Sequence, residues 1–303
     1  MKKAQKRNKD LVKDLELANA EYTREEKEKF HTETLKLVFV TYLRVLKNQG
    51  HKRLLPAVLE GLAKFSHLIS VDYFNDLLVL LRRIMTGDHV LDVGGGDGEH
   101  NNLDTVGSGS TSPRLPVRLS LLCVVTAFQL LSGQGEALNL DLQAFYTHLY
   151  AVIPDLACHP TLEAPHQSHA TNQAITTQAA GVDSEADLLL KALEILFFKR
   201  ERVPMDRAAA FAKRILMTCV HFPPNVTVKC IALVRMLVTK YSRLDQLLSS
   251  TETLSSGIYH LELPDPDLCN PFASCMWEIH ALLKHYHPKV REETRALLRQ
   301  CKN

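Results

Sequence analysis

The sequence predicts an all-α protein, a HEAT/armadillo-like helical-repeat solenoid with disordered loop insertions. Three observations lead there. Apolar residues recur at helical spacing in segment after segment, each three to four turns long. Convincing alternating strands are absent. The segments come in pairs joined by short polar or proline turns, the rhythm of stacked helix pairs. No clean sequence repeat accompanies that rhythm, so the superhelix is expected from helix number alone, and an irregular helical bundle is its main competitor.

Residues 1–22 read as a charged N-terminal segment and residues 23–300 as the helical-repeat domain, with disordered insertions at 86–116 and 154–182. The first segment mixes both charge signs around sparse apolar positions (Leu11, Leu15, Leu17, Tyr22), the pattern of a solvated helix or coil. Thr23 followed by Glu26 makes a capping box. The helix it opens runs to about Asn48 on Phe30, Leu35, Leu37, Val38, Tyr42, Val45 and Leu46, and Gly50 stops it. A second helix, 54–69, has Pro56 in its first turn, where the missing N–H is tolerated. The third, 71–85, places Asp72 near its start and Arg82 and Arg83 near its end, the signs the macrodipole favours. Amphipathic helices over 117–131, 140–153, 183–198, 205–219 and 226–241 follow.

The stretch 269–290 holds the only tryptophan, Trp277. Asn270 is a good N-cap and Pro271 suits the first helical position. Met276, Ile279, Leu282 and Leu283 share a face, so a helix is expected from there to Pro288. That proline ends one helix and opens another over 289–300, with Val290, Leu297 and Leu298 inward and Arg291, Arg295 and Arg299 along another side. The pair is expected to be the terminal repeat, with Trp277 packed in its core.

Composition narrows the function classes. An apolar fraction of 46% supports a sizeable core. A net charge of +2 does not point to nucleic acid by itself, but the basic residues cluster locally at 1–9 and beyond His280. The seven cysteines form no C-x-x-C pair, and Cys123, Cys219 and Cys230 sit in apolar helical runs, so a reducing compartment is expected. No apolar run is long enough to span a bilayer and no signal-type apolar stretch follows Met1, so the reading is of an intracellular, soluble chain without a membrane partner.

Two patterns invite chemistry that their context denies. Residues 90–98, Val-Leu-Asp-Val-Gly-Gly-Gly-Asp-Gly, resemble the first motif of an S-adenosylmethionine-dependent methyltransferase. No helix follows them, no second strand ends in an acid about twenty residues on, and no βα alternation could build the parallel sheet. His280, His285 and His287 with Cys269 and Cys275 suggest zinc, yet their spacings match no closed ligand set. No nucleophile elbow or P-loop is present. The sequence therefore predicts no catalytic residue, no metal ligand and no cofactor.

The chemistry left is contact. His285, Tyr286, His287, Lys289, Arg291, Arg295 and Arg299 are the candidate partner or RNA contacts: arginines reach phosphates, and aromatic or imidazole rings stack on unpaired bases. The plain alternative is a solvated basic face.

Several segments are similar to the CCAAT-binding-factor-domain family. They are 32–42, 54–65, Phe74-Asn75-Asp76-Leu77-Leu78, 131–135, Phe145-Tyr146-Thr147-His148-Leu149-Tyr150, and 269–288 with Trp277-Glu278 and His285-Tyr286-His287-Pro288. The resemblance covers most of residues 24–290. It implies a non-catalytic helical-repeat scaffold of the nucleus and nucleolus, acting in assembly, rRNA maturation and nuclear export of large ribosomal subunit precursors. Implied partners are nucleolar complex protein 2, other large-subunit assembly factors, and pre-rRNA or chromatin, the last through a role in DNA replication initiation. Family members are considerably longer, so the chain is expected to correspond to their C-terminal part. The glycine-rich loop falls where the family leads one to expect a short connection.

Overall fold

The computed structural model describes residues 24–48, 54–65, 68, 73–86, 116–133, 142–164, 183–199, 203–248 and 256–300. They belong to two compact units, Met1–Val58 and Leu59–Asn303. The first carries α1 (Arg24–Lys47) and the first residues of α2 (Leu55–Phe65). Of the apolar positions expected on α1, Leu46 is buried, whereas Phe30 and Leu37 are exposed. α2 runs to Phe65; in the rest of the expected helix, Leu68 lies in a 3₁₀ turn and residues 66, 67 and 69 lie outside the described residues.

Helices in two layers make up the second unit. In one, α3 (Phe74–Thr86), α5 (Gln143–Leu156), α7 (Met205–Cys219) and α9 (Glu278–Leu283) pack successively on one another. In the other, α4 (Val117–Gly133), α6 (Glu185–Glu194), α8 (Pro224–Lys240) and α10 (Pro288–Gln300) do the same. Across the layers α3 meets α4, α4 meets α5, α7 meets α8 and α9 meets α10. Helix pairs stacked in chain order make an α-solenoid. Among the described residues there is no strand.

Why the layers close is legible in α4 and α7. Residues 121–128 of α4 are buried on every side, as expected of a helix that is apolar all round. In α7, Ala208, Ala209, Ala210 and Ala212 keep the backbone accessible to its neighbours, and Phe211, Ile215 and Leu216 fill the space around it. Each such large side chain contributes about 1.5–3 kcal/mol when fully buried. The expected amphipathic α7 is therefore a buried strut. Its ends match the sequence reading, while α6 stops early and passes into a π-helical turn, Ile195–Lys199. There the Phe197 carbonyl accepts from Lys240 Nζ at 2.6 Å.

The insertion readings divide. Residues 87–115, including the motif at 90–98, and residues 165–182 lie outside the described residues. Residues 154–164 do not fit a disordered insertion. α5 runs through Pro154 to Leu156, and the following turns bury Leu162 completely. The Leu162 carbonyl accepts from the Ala186 N–H at 3.2 Å, and His159 Nδ1 stands 3.1 Å from Glu185 Oε2. These contacts close a neck between the end of α5 and the start of α6. Ser184 caps α6 by accepting from the Asp187 N–H at 3.1 Å.

At the C-terminal end the single helix expected from Asn270 is absent. Residues 271–273 make one 3₁₀ turn, and α9 begins only at Glu278. Asn270 adopts the left-handed conformation (φ 50°), which asparagine tolerates better than most residues. Its amide donates to the Ser256 carbonyl at 3.3 Å instead of capping a helix.

Candidate interaction surface

A segment whose only regular structure is the 3₁₀ turn at 271–273, residues 256–277, runs over α5 and α7 and ends at α9, and three cations of α7 hold it in place. Arg207 donates twice to Asp267, Nε to Oδ1 at 2.9 Å and Nη2 to Oδ2 at 2.6 Å, while its guanidinium lies 4.4 Å from the Tyr146 ring centre. Such a two-pronged pair fixes direction as well as distance.

Arg214 performs a repair. Pro154 has no N–H, so the Tyr150 carbonyl four residues earlier in α5 lacks its helical donor. Arg214 Nη1 supplies one at 2.9 Å. Its Nη2 donates to the carbonyls of Leu261 and Leu263, the latter at 3.1 Å, and the guanidinium stacks 3.5 Å from the Tyr150 ring centre. Tyr150 in turn donates to Cys269 Sγ at 3.5 Å, and burial pushes the pKa of its phenol up. Both groups are locked into the fold. Burial likewise raises the Cys269 thiol, and it holds Cys123 at about 12, so neither is a nucleophile near neutral pH.

Lys213 is buried with Glu278, each side chain 1% exposed, at 2.8 Å from Oε1 and 3.1 Å from Oε2. It also donates to the Cys275 carbonyl. Trp277 lies beside this pair, with its ring centre 5.7 Å from the ammonium. The indole was expected in the core and is 57% exposed. The space beneath it is filled by the ion pair, so one ring face packs toward the cation and the rest meets solvent. Met276, Ile279 and Leu282 are buried as expected, and Leu283 is half-buried.

Beyond α9 the chain turns through His285, Tyr286 and His287. The His285 and Tyr286 rings stack with centres 4.3 Å apart at 31°. The His287 N–H donates to His285 Nδ1 at 3.1 Å, and Arg291 Nη1 donates to the carbonyls of His285 at 2.8 Å and Tyr286 at 3.0 Å. Tyr286 is 74% exposed, while both flanking histidines are half-buried. Along α10, Val290, Thr294 and Leu297 face inward, and the expected Leu298 is half-buried. At 100° per residue, Arg291, Arg295 and Arg299 share one stripe. Lys289 sits about 160° from Arg291 and leaves it. Seven predicted contact residues thus resolve into a platform (His285, Tyr286, His287), a stripe of three arginines and an outlying lysine.

No group of three His, Cys, Asp or Glu side chains among the described residues is placed to hold a metal ion. No described helix is long and apolar enough to cross a membrane. An open groove of about 690 Å³ runs between α5, α7 and residues 261–264, with Ala151, Pro154, Met217, His221, Leu261 and Glu262 among its walls.

The α7 clamp was not anticipated from the sequence. Its signal was there: Lys213 and Arg214 sit side by side within a run, 208–219, whose other residues are apolar apart from Thr218. Buried cations there require acceptors from elsewhere in the chain.

Comparison with known proteins fits this architecture. Over 292 residues the chain is 39% identical to the human "Nucleolar complex protein 3 homolog", covering 96% of this chain and 30% of that protein. It is 31% identical to the Schizosaccharomyces pombe "Nucleolar complex-associated protein 3" over 98% of this chain and 38% of that protein. Its Saccharomyces cerevisiae counterpart of the same name is 32% identical over 91% of this chain and 39% of that protein. The chain therefore spans between three and four tenths of the length of these relatives. The sequence pattern of the CBF/Mak21 family covers residues 120–294, from α4 through most of α10. On that coverage, more than half of its length, the chain belongs to the CBF/Mak21 family.

Proposed function

We propose that this chain is part of a non-catalytic scaffold of the nucleolus that assembles large ribosomal subunit precursors. The observation that carries the reading is similarity along 96% of the chain to a protein named for a nucleolar complex. Physical features support it. The described residues form stacked helix pairs, an architecture whose extended surfaces suit the binding of other macromolecules. The Cys269 thiol and the cations of α7 are committed to internal bonds and serve the fold. The proposed protein partners are nucleolar complex protein 2 and other large-subunit assembly factors.

Affinity purification of the tagged chain from cells, followed by RNA sequencing and protein identification, tests the reading. Enrichment of large-subunit rRNA precursors together with assembly factors is expected. Recovery of chromatin and replication proteins without those precursors would move the function to DNA replication initiation.

A further inference from the structure

We propose that the 285–287 turn and the α10 arginines form a binding site for single-stranded RNA, with one unpaired base stacked on Tyr286 and neighbouring phosphates held by Arg295 and Arg299. The proposal deepens the reading above and rests on it for the setting in which such RNA is met. The site itself stands on geometry.

Tyr286 presents most of its ring to solvent, yet the ring is not loose. His285 backs it at 4.3 Å, His285 Nδ1 holds the His287 N–H, and Arg291 ties down two successive carbonyls. A stacking face fixed in advance loses little freedom when a base lands on it. Next to it the arginine stripe advances about 6 Å per step along α10. Arg291 is spent on the turn, whereas Arg295 and Arg299 are exposed and have no hydrogen-bond or ion-pair partner among the described residues. Glu292 borders the stripe, and Glu293 is occupied by Arg235 at 3.4 Å. Lys284, also exposed, precedes the turn. A ligand matching both halves must carry repeated anions and a free planar face. Unpaired RNA has both. A duplex hides its base faces, and an acidic peptide would use the arginines but not the ring.

The test is fluorescence anisotropy of the full 303-residue chain with a fluorescein-labelled oligouridylate. Tyr286→Ala should weaken binding roughly 5- to 150-fold, the range of a lost base–aromatic stack. Tyr286→Phe should bind within about twofold of the parent, because stacking needs the ring and not the hydroxyl. Arg295→Gln and Arg299→Gln should each flatten the log–log salt dependence by about 0.7. Every side chain replaced is exposed, and unchanged circular dichroism verifies that the variants fold. The proposal is overturned if Tyr286→Ala binds as tightly as the parent, if duplex RNA binds as well as the single strand, or if polyglutamate displaces the RNA at equal charge, which would assign the stripe to an acidic protein. Particle recovery separates this from the wider reading. Precursors recovered with a chain that fails to bind oligouridylate remove the RNA site alone, and precursors absent from the parent purification remove the scaffold reading whatever the RNA result.

Discussion

Replacing Glu278 with glutamine keeps the shape of the side chain and deletes its charge. In the folded protein its carboxylate is 2.8 Å from Lys213 Nζ, both groups being almost wholly buried. At an effective dielectric constant near 20, unit charges at that separation attract by about 6 kcal/mol. Desolvating the two ions offsets much of this in the native pair. In the single variant the offset persists for Lys213 while the attraction is gone, and the ammonium is left with neutral acceptors, the Cys275 carbonyl and the glutamine amide oxygen. The expected loss is about 3–5 kcal/mol. Lys213→Met combined with Glu278→Leu removes both charges and should recover most of that loss, ending within about 1 kcal/mol of the parent or above it. Urea unfolding, followed by far-ultraviolet circular dichroism and by Trp277 fluorescence, reads the midpoints at unchanged slope. If Glu278→Gln loses under about 1 kcal/mol, or if the double variant is as unstable as the single, Lys213 and Glu278 do not act as a buried, mutually compensating ion pair.

Three further outcomes follow from the same segment and its surroundings. Arg214→Lys should cost about 2–4 kcal/mol, because an ammonium cannot serve the Tyr150, Leu261 and Leu263 carbonyls together; in a Pro154→Ala background the loss should shrink, since the backbone N–H restored at that position can then satisfy Tyr150, and urea midpoints of the four-way cycle measure the coupling. Trp277 should be quenched by acrylamide in the native state nearly as readily as in urea, whereas a core indole would be protected. His148 is held neutral, with its pKa below the usual 6.5, by burial, which outweighs the opposing pull of Asp155. Its contribution to stability is therefore complete above pH 6.5 and is lost as pH falls through the depressed folded value. Midpoints should decline on acidification through that window, and His148→Gln should flatten the decline.

What the sequence revealed tracks how local the determining interaction is. Pro204 before α7 and Pro288 opening α10 act within one turn, so those helix starts were legible to the residue or nearly so. Asn270 carried an equally good local signal and misled. Its capping tendency is overridden by bonds from distant segments: the Cys269 carbonyl takes the His260 N–H at 2.9 Å, the Cys275 carbonyl takes Lys213, and Asn270 itself reaches back to Ser256. Trp277 was placed in the core because a lone tryptophan among apolar neighbours usually belongs there. That rule cannot foresee that the space would be taken by an ion pair from residues 65 apart in sequence. At the site, ring and charge type made the platform and stripe visible in advance. Which arginine anchors the turn and which are left exposed depends on Arg291 reaching two carbonyls five and six residues back, and residue type does not encode that.

The neck between α5 and α6 has a practical side. Because Leu162 and Ala186 are bonded directly and His159 meets Glu185 beside them, the chain leaves and re-enters the packed layers at one point. Lengthening a connection whose ends are already held together costs little, about 0.6 kcal/mol for each doubling of a flexible loop. Residues 165–182 therefore mark a natural port for grafting. A fluorescent protein or affinity handle whose own termini lie close together can be spliced there while the helix stack on either side keeps its register.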